Sequence, residues 1–156
     1  MLEANQIKAL RELIHAKAGI ILGEDKAGML TAKFEKFCRL KSSLNPEAAL
    51  NLLQVDENVF NEFLNLITVN HTFFFREPEH FEYLKQLITA NPHRKVKIWS
   101  CACSFGQEPY SIAMVCEEVG CDYKILASDV DQNALMRAQT GVYDRRSLSE
   151  IPEEYK

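Results

Sequence analysis

Apolar residues in the first 67 positions recur every three to four places, the period of helices that each bury one face. Ile7, Leu10, Ile14 and Ala18 line up in this way, and Gly19 is a natural stop. Asp25 is the expected cap of a second helix running to about Leu40, with Leu30, Phe34 and Phe37 turned inward. Asn45-Pro46 pairs a capping side chain with a proline at the first helical position, which predicts a short helix through Leu50 and Leu53. Asp56 opens another, with Phe60, Phe63, Leu64 and Ile67 on one face. A helix from about Pro78 to Ala90 follows, ended by Asn91-Pro92. The period then changes. Val96–Ser100 and Tyr123–Ser128 are short, β-rich apolar runs, separated by a helix from Pro109 to about Val119 with Gly120 behind it. A further helix begins near Asp131 and ends near Gly141. Strand, turn, helix, strand is a βαβ unit, the opening of a parallel sheet. The fold class is therefore α/β with an N-terminal all-α domain: a helical bundle over residues 1–68, then an α/β domain over 69–156.

Composition narrows the function classes. With 47% hydrophobic and 26% charged residues, the 156-residue chain is that of a folded globular protein, not a disordered one. No apolar run approaches the ~20 residues that cross a bilayer, so no membrane insertion is expected. Met1–Gln6 lacks the basic and apolar regions of a signal peptide, which predicts a cytoplasmic location. A net charge of −4 disfavours general nucleic-acid binding, which draws on a basic surface. Five cysteines, an odd number, point to reduced thiols. Cys101, Cys103, Cys116 and Cys121 do not have the spacing of a standard zinc site, so no metal is expected. Cys116 falls instead on the buried face of its helix, where a free cysteine acts as a small hydrophobe.

The turn after the first strand, Cys101–Gln107, is where an open α/β sheet binds its ligand. Ala102, Cys103, Ser104 and Gly106 let a ligand come close, and the next helix points its N-terminus at the pocket. Asp129 ends the second strand, near the ~20-residue offset of an acid that grips ribose hydroxyls. Its alternative role is an N-cap for the helix near Asp131, and Asp131 competes for that role. Glu108 is either a carboxylate favoured by the helix dipole or a ligand for a cationic group of a cofactor.

Two segments carry a resemblance. Trp99, Ser100, Cys103, Ser104, Gly106, Glu108, Pro109, Tyr110 and Ser111 match the loop W-S-A-G-C-S-x-G-E-E-P-Y-S. Asn70, Thr72, Phe74, Phe75, Arg76 and Glu77 match N-x-T-x-F-F-R-E. In this the chain resembles the CheR-type chemotaxis receptor O-methyltransferases, which methylate receptor glutamates with S-adenosyl-L-methionine and release S-adenosyl-L-homocysteine. Three positions depart from the pattern: Cys101 for alanine, Ala102 for glycine, and Gln107 for the first glutamate. The Ala102 methyl stands where backbone and ligand meet, and is expected to weaken cofactor binding.

The resemblance implies a Rossmann-like methyltransferase sheet, of which this chain supplies only the first part, with impaired activity as the expectation. It implies that Asn70 and Thr72 line the cofactor pocket, with Glu108 and Asp129, and that Arg76 sits near the methyl group and the substrate. The bland reading of Arg76 is a surface ion pair with Glu77 or Glu79. Phe73, Phe74 and Phe75 are expected in the core, at least one of them between the two domains, and His71 is either solvent-facing or chemical. His15, His80 and His93 are given no role. Lys33, Lys36 and Arg39 form a basic row that suits acidic receptor helices as docking partners, or is simply a solvated helix face. An exposed edge of a two-strand sheet invites self-association. The competing function is a non-catalytic signalling module that binds receptors through its helical part.

Overall fold

The computed structural model describes residues 2–91 and 95–156, and it divides into two compact units, Met1–Val69 and Asn70–Lys156. Pro92 and His93 lie outside the described residues.

The first unit is helical: α1 (Ala4–Ala18), α2 (Ala27–Leu40), α3 (Pro46–Val55) and α4 (Glu57–Ile67). Gly19 caps α1 with φ +70°, where a residue without Cβ is at no disadvantage. Asn45 Oδ1 accepts the Ala48 N–H at 2.8 Å and Pro46 opens α3. Asp56 Oδ1 accepts the N–H groups of Asn58 and Val59 and so caps α4. Asp25 caps nothing. A 3₁₀ turn over Glu24–Lys26 runs straight into α2, whose N-terminal flank is the helical Lys26, so no extended residue is left for a side-chain cap. Asp25 instead pairs with Lys26 at 3.3 Å. Phe63 meets Phe34 and Phe37 edge-on at 5.9 and 5.3 Å between ring centres, the preferred geometry for aromatic quadrupoles. Leu10, Ile14, Leu30, Leu53 and Phe60 complete the core.

The second unit runs α5 (Pro78–Thr89), β1 (Val96–Cys101), α6 (Gln107–Val119), β2 (Tyr123–Ser128), α7 (Gln132–Thr140) and a short α8 (Arg145–Leu148). β1 and β2 are parallel and in even register from Val96↔Tyr123 to Cys101↔Ser128. The two strands therefore end level, at the turn before α6 and at Asp129. One sheet face, with Val96, Ile98, Tyr123 and Ile125, joins the core of Phe74, Phe75, Phe81, Ile112, Val115 and Cys116. On the other face Trp99 and Leu126, partners in register, are 64% and 63% exposed. α6 begins at Gln107, two residues before the proline that marks it in the sequence, because Gly106 at φ +94° turns the chain directly into the helix. No helix among the described residues is long and apolar enough to cross a membrane.

Candidate functional site

Two segments of the second unit meet at the C-terminal ends of the strands. Asn70 is the clasp between them. Its Nδ2 donates to Asp131 Oδ2 at 2.6 Å, and its Oδ1 accepts from Ser104 Oγ at 2.9 Å. A second tie runs from the Phe75 N–H to Ser111 Oγ at 3.0 Å, and that hydroxyl donates to Gln107 O. The loop 70–77 is thus pinned to the turn 101–106 and to the first turns of α6. Phe74 and Phe75 anchor it from below: Phe74 meets Tyr143 edge-on at 4.8 Å, and Phe75 stacks on Tyr155 at 4.5 Å. Both are buried in this unit's own core, while Phe73 is half-buried and His71 exposed.

Asp129 has both carboxylate oxygens engaged. Oδ2 accepts the Ser104 N–H at 2.7 Å and Oδ1 accepts the Asp131 N–H at 2.8 Å. The N-cap of α7 is Asp131, whose Oδ1 accepts the Ala134 N–H at 3.0 Å. The cap of α7 is therefore Asp131 and not Asp129. A carboxylate offers about four lone-pair sites, so half-buried Asp129 retains acceptor capacity on each oxygen for two further donors. Glu108, exposed in the first turn of α6, accepts from Ser100 Oγ at 2.7 Å and is aimed by it.

Arg76 is exposed and donates from Nη1 to His71 O at 2.8 Å, closing its own loop. Among the described residues it makes no ion pair with Glu77 or Glu79, so the bland reading of this arginine loses its partner. Thr72 is half-buried in the same loop. In the first unit Lys36 and Arg39 are exposed and Lys33 is half-buried, the last in keeping with a stem lying along the apolar stripe.

Backbone strain gathers in these two segments. Six non-glycine residues among those described have positive φ, and four of them are Phe75 (+53°), Glu77 (+59°), Ala102 (+61°) and Ser104 (+50°). Such conformations cost on the order of 1–3 kcal/mol each and persist where the surroundings impose them. Nothing in the sequence marks them, since the usual signal is glycine or asparagine. Ser100, Ser104, Ser111 and Asp131 are likewise site residues whose roles the sequence reading missed or reduced to capping. Gln107 Oε1 is buried without a hydrogen-bond partner.

The charges and burial also fix protonation. Burial, and then the Asp129 charge, push the Cys103 thiol up, so it stays protonated and is no nucleophile. Burial, then Tyr110, push Tyr143 up to about 12, and its hydroxyl donates to Phe105 O at 2.7 Å as a fixed strut of the turn. No group of three or more metal-ligating side chains occurs among the described residues.

Residues 70–156 match the family described as CheR methyltransferase, SAM binding domain. The chain belongs to the CheR methyltransferase family. Similar CheR-type relatives are each named as a chemotaxis protein methyltransferase. One from Borreliella burgdorferi is 29% identical, covering 97% of this chain and 59% of the relative. Another, from Pseudomonas aeruginosa, is 35% identical over 94% of this chain and 55% of its own. That of Escherichia coli is 32% identical over 92% and 52%. The chain spans between half and three-fifths of the length of these relatives.

S-adenosyl-L-methionine is the cofactor of the matched domain, and the donor set here fits it. Asp129 has acceptor capacity left for further donors, Glu108 offers an exposed anion, and the Ser104 N–H of the strained turn lies against Asp129.

Proposed function

We propose that this protein methylates glutamate side chains of chemotaxis receptors with S-adenosyl-L-methionine. The observation that carries the reading is the Asn70 clasp, which ties the loop bearing Arg76 both to Ser104 in the turn after β1 and to Asp131 at the start of α7, each one hydrogen bond from Asp129. In this reading Asp129 accepts from the ribose hydroxyls, Glu108 faces the amino group or the sulfonium, and Asn70 and Thr72 line the pocket. When bound, the cofactor supplies an activated methyl group on a positively charged sulfur. The receptor glutamate needs no general base, because a carboxylate of ordinary pKa ≈ 4.3 is ionised at neutral pH. What remains is alignment and exclusion of water, worth roughly 7–11 kcal/mol in favourable cases. Arg76 serves alignment: its guanidinium holds one substrate oxygen by a charge-assisted hydrogen bond and leaves the other free to attack.

Lys33, Lys36 and Arg39 dock the acidic receptor helices, which steers encounter and makes binding sensitive to salt. The same reading places the protein in the cytoplasm. It leaves the exposed pair Trp99 and Leu126, beside open strand edges, as a surface for self-association.

The test is calorimetric titration with S-adenosylhomocysteine on the chain and on Asp129→Ala, followed by receptor binding of Lys36→Glu/Arg39→Glu. Saturable binding that weakens at least ~10-fold in Asp129→Ala, about 1.4 kcal/mol, sustains the cofactor site. Receptor binding lost in the charge-reversed variant, with S-adenosylhomocysteine affinity intact, sustains the docking row. Folded protein that gives no heat at any concentration, yet still binds receptor, replaces the enzyme by the binding module.

A further inference from the structure

The C-terminus of α6 is closed by a pair of thiols. Gly120 takes φ +73° and its N–H bonds to Glu117 O at 3.1 Å, while the Cys121 N–H bonds to Cys116 O at 3.2 Å. These two bonds define a Schellman cap, in which the residue after the glycine packs on the residue five positions before it, commonly through an apolar contact. Here both positions of that contact are cysteine. Cys116 is fully buried and Cys121 half-buried. A disulfide joins α-carbons about 4.4–6.8 Å apart, and the bond from Cys121 N–H to Cys116 O closes the chain on that scale.

We propose that Cys116 and Cys121 are a modification site, a dithiol that a low-molecular-weight disulfide such as oxidised glutathione converts to an intrachain disulfide across the cap of α6. The half-buried Cys121 reacts first. Its thiolate attacks one sulfur of the small disulfide, forming a mixed disulfide and releasing one small thiolate. The Cys116 sulfur then attacks Cys121 Sγ, and the second small thiolate leaves with the proton of the Cys116 thiol. Two cysteines are oxidised by two electrons, and one small disulfide is reduced to two thiols.

The order follows from the environment. Burial, and then the neighbouring Cys121, push Cys116 up to about 12, so it is a poor nucleophile toward anything in solution. Only the attack on its own neighbour is compensated by proximity. The other cysteines have different surroundings. Cys101 is exposed, Cys103 is buried and donates toward Ser104 O at 3.8 Å, and Cys38 is buried in the other unit. In a reducing compartment such a disulfide is transient, which is the behaviour of a sensor and not of a structural bridge. The modification is independent of methyl transfer and goes beyond it.

The experiment is incubation of the whole chain with oxidised glutathione, alkylation of the remaining thiols, cleavage after glutamate and mass spectrometry. Glu117 and Glu118 lie between the two cysteines, so the bridged product appears as two peptides joined until reductant is added. The expected product has two fewer alkylatable thiols than the reduced chain, with Cys116 and Cys121 the missing pair. Cys121→Ser keeps a small side chain at the cap and should leave Cys116 unoxidised, with thermal unfolding no longer shifted upward by oxidant. The idea fails if glutathione ends only on Cys101, if all five thiols stay alkylatable, or if Cys116 is oxidised at the parental rate in Cys121→Ser.

Discussion

In Met1–Val69 the aromatic side chains Phe34, Phe37, Phe60 and Phe63 are at most 2% exposed, whereas in Asn70–Lys156 the strand partners Trp99 and Leu126 stand nearly two-thirds exposed on one sheet face. The first unit does expose Ile21, Leu40, Val55 and Val69, but these are scattered along the chain and are not strand partners in register. Parallel sheets are normally covered on both faces, and the described residues cover one face of β1 and β2. The backbone shows the same division: among non-glycine residues the first unit has positive φ at the short turn Ser42-Ser43, and the second has it at the residues around its site. One unit spends its sequence on a closed core, the other on holding a particular surface in an uncomfortable conformation.

The comparison can be broken most severely at Phe63. Phe63→Ala should cost about 3–5 kcal/mol and unfold the first unit alone. The single tryptophan and all five tyrosines lie at or beyond Tyr83, in the second unit. Urea titration should therefore show far-UV ellipticity lost earlier while Trp99 emission keeps its midpoint; a common shift of both signals would mean that the units do not unfold separately. Next in size is Gly106→Ala. Its Cβ would stand 2.7 Å from Tyr143 Oη and 2.9 Å from Ala138 Cβ at a φ of +94°, and overpacking of this kind costs about 1–3 kcal/mol. Here the Trp99 transition should move and the first unit should not respond.

Alkaline pH sharpens the contrast by a different route. Tyr143 has its folded pKa raised to about 12, so its contribution is complete below the unfolded value of about 10 and is lost as pH rises toward 12. Tyr143→Phe should flatten that part of the Trp99 stability profile, and an unchanged profile would remove the tyrosine from the account. Ala102→Gly should act in the opposite sense, gaining about 1 kcal/mol by relieving the left-handed strain, read as a higher urea midpoint. It should also tighten binding of S-adenosylhomocysteine, if the Ala102 methyl stands where the ligand's atoms come, as the family's glycine implies. The smallest effect belongs to Leu126→Thr, within about 0.5 kcal/mol for an exposed position. A large loss in the isolated protein would show that this face is covered in solution.

Much of the architecture was written locally. Asn45-Pro46, Asp56, Gly19, Gly120 and the two β-rich runs each declare an element through a few adjacent residues, and the structure places caps and strands there. Asp25 misled because a 3₁₀ turn can feed a helix without any cap, and nothing in the local residues distinguishes the two. The site was legible as residues and not as connections. Asn70 reaches Ser104 and Asp131 across 34 and 61 positions, and no local pattern states which acceptor a carboxamide will find. Asp129 was recognised as the acid at the strand end, but its hold on the Ser104 N–H depends on a left-handed serine that looks like any other.

The Asn70 clasp also sets an order of events. Closing a contact between residues 61 apart costs more chain entropy than a helical turn does, so it comes late. During synthesis the clasp is incomplete until Ser104 and then Asp131 have emerged, although the helices before it can already close on themselves. The loop that presents Arg76 is therefore among the last parts of the chain to be set, and a nascent chain carries its arginine on an unfastened arm until then.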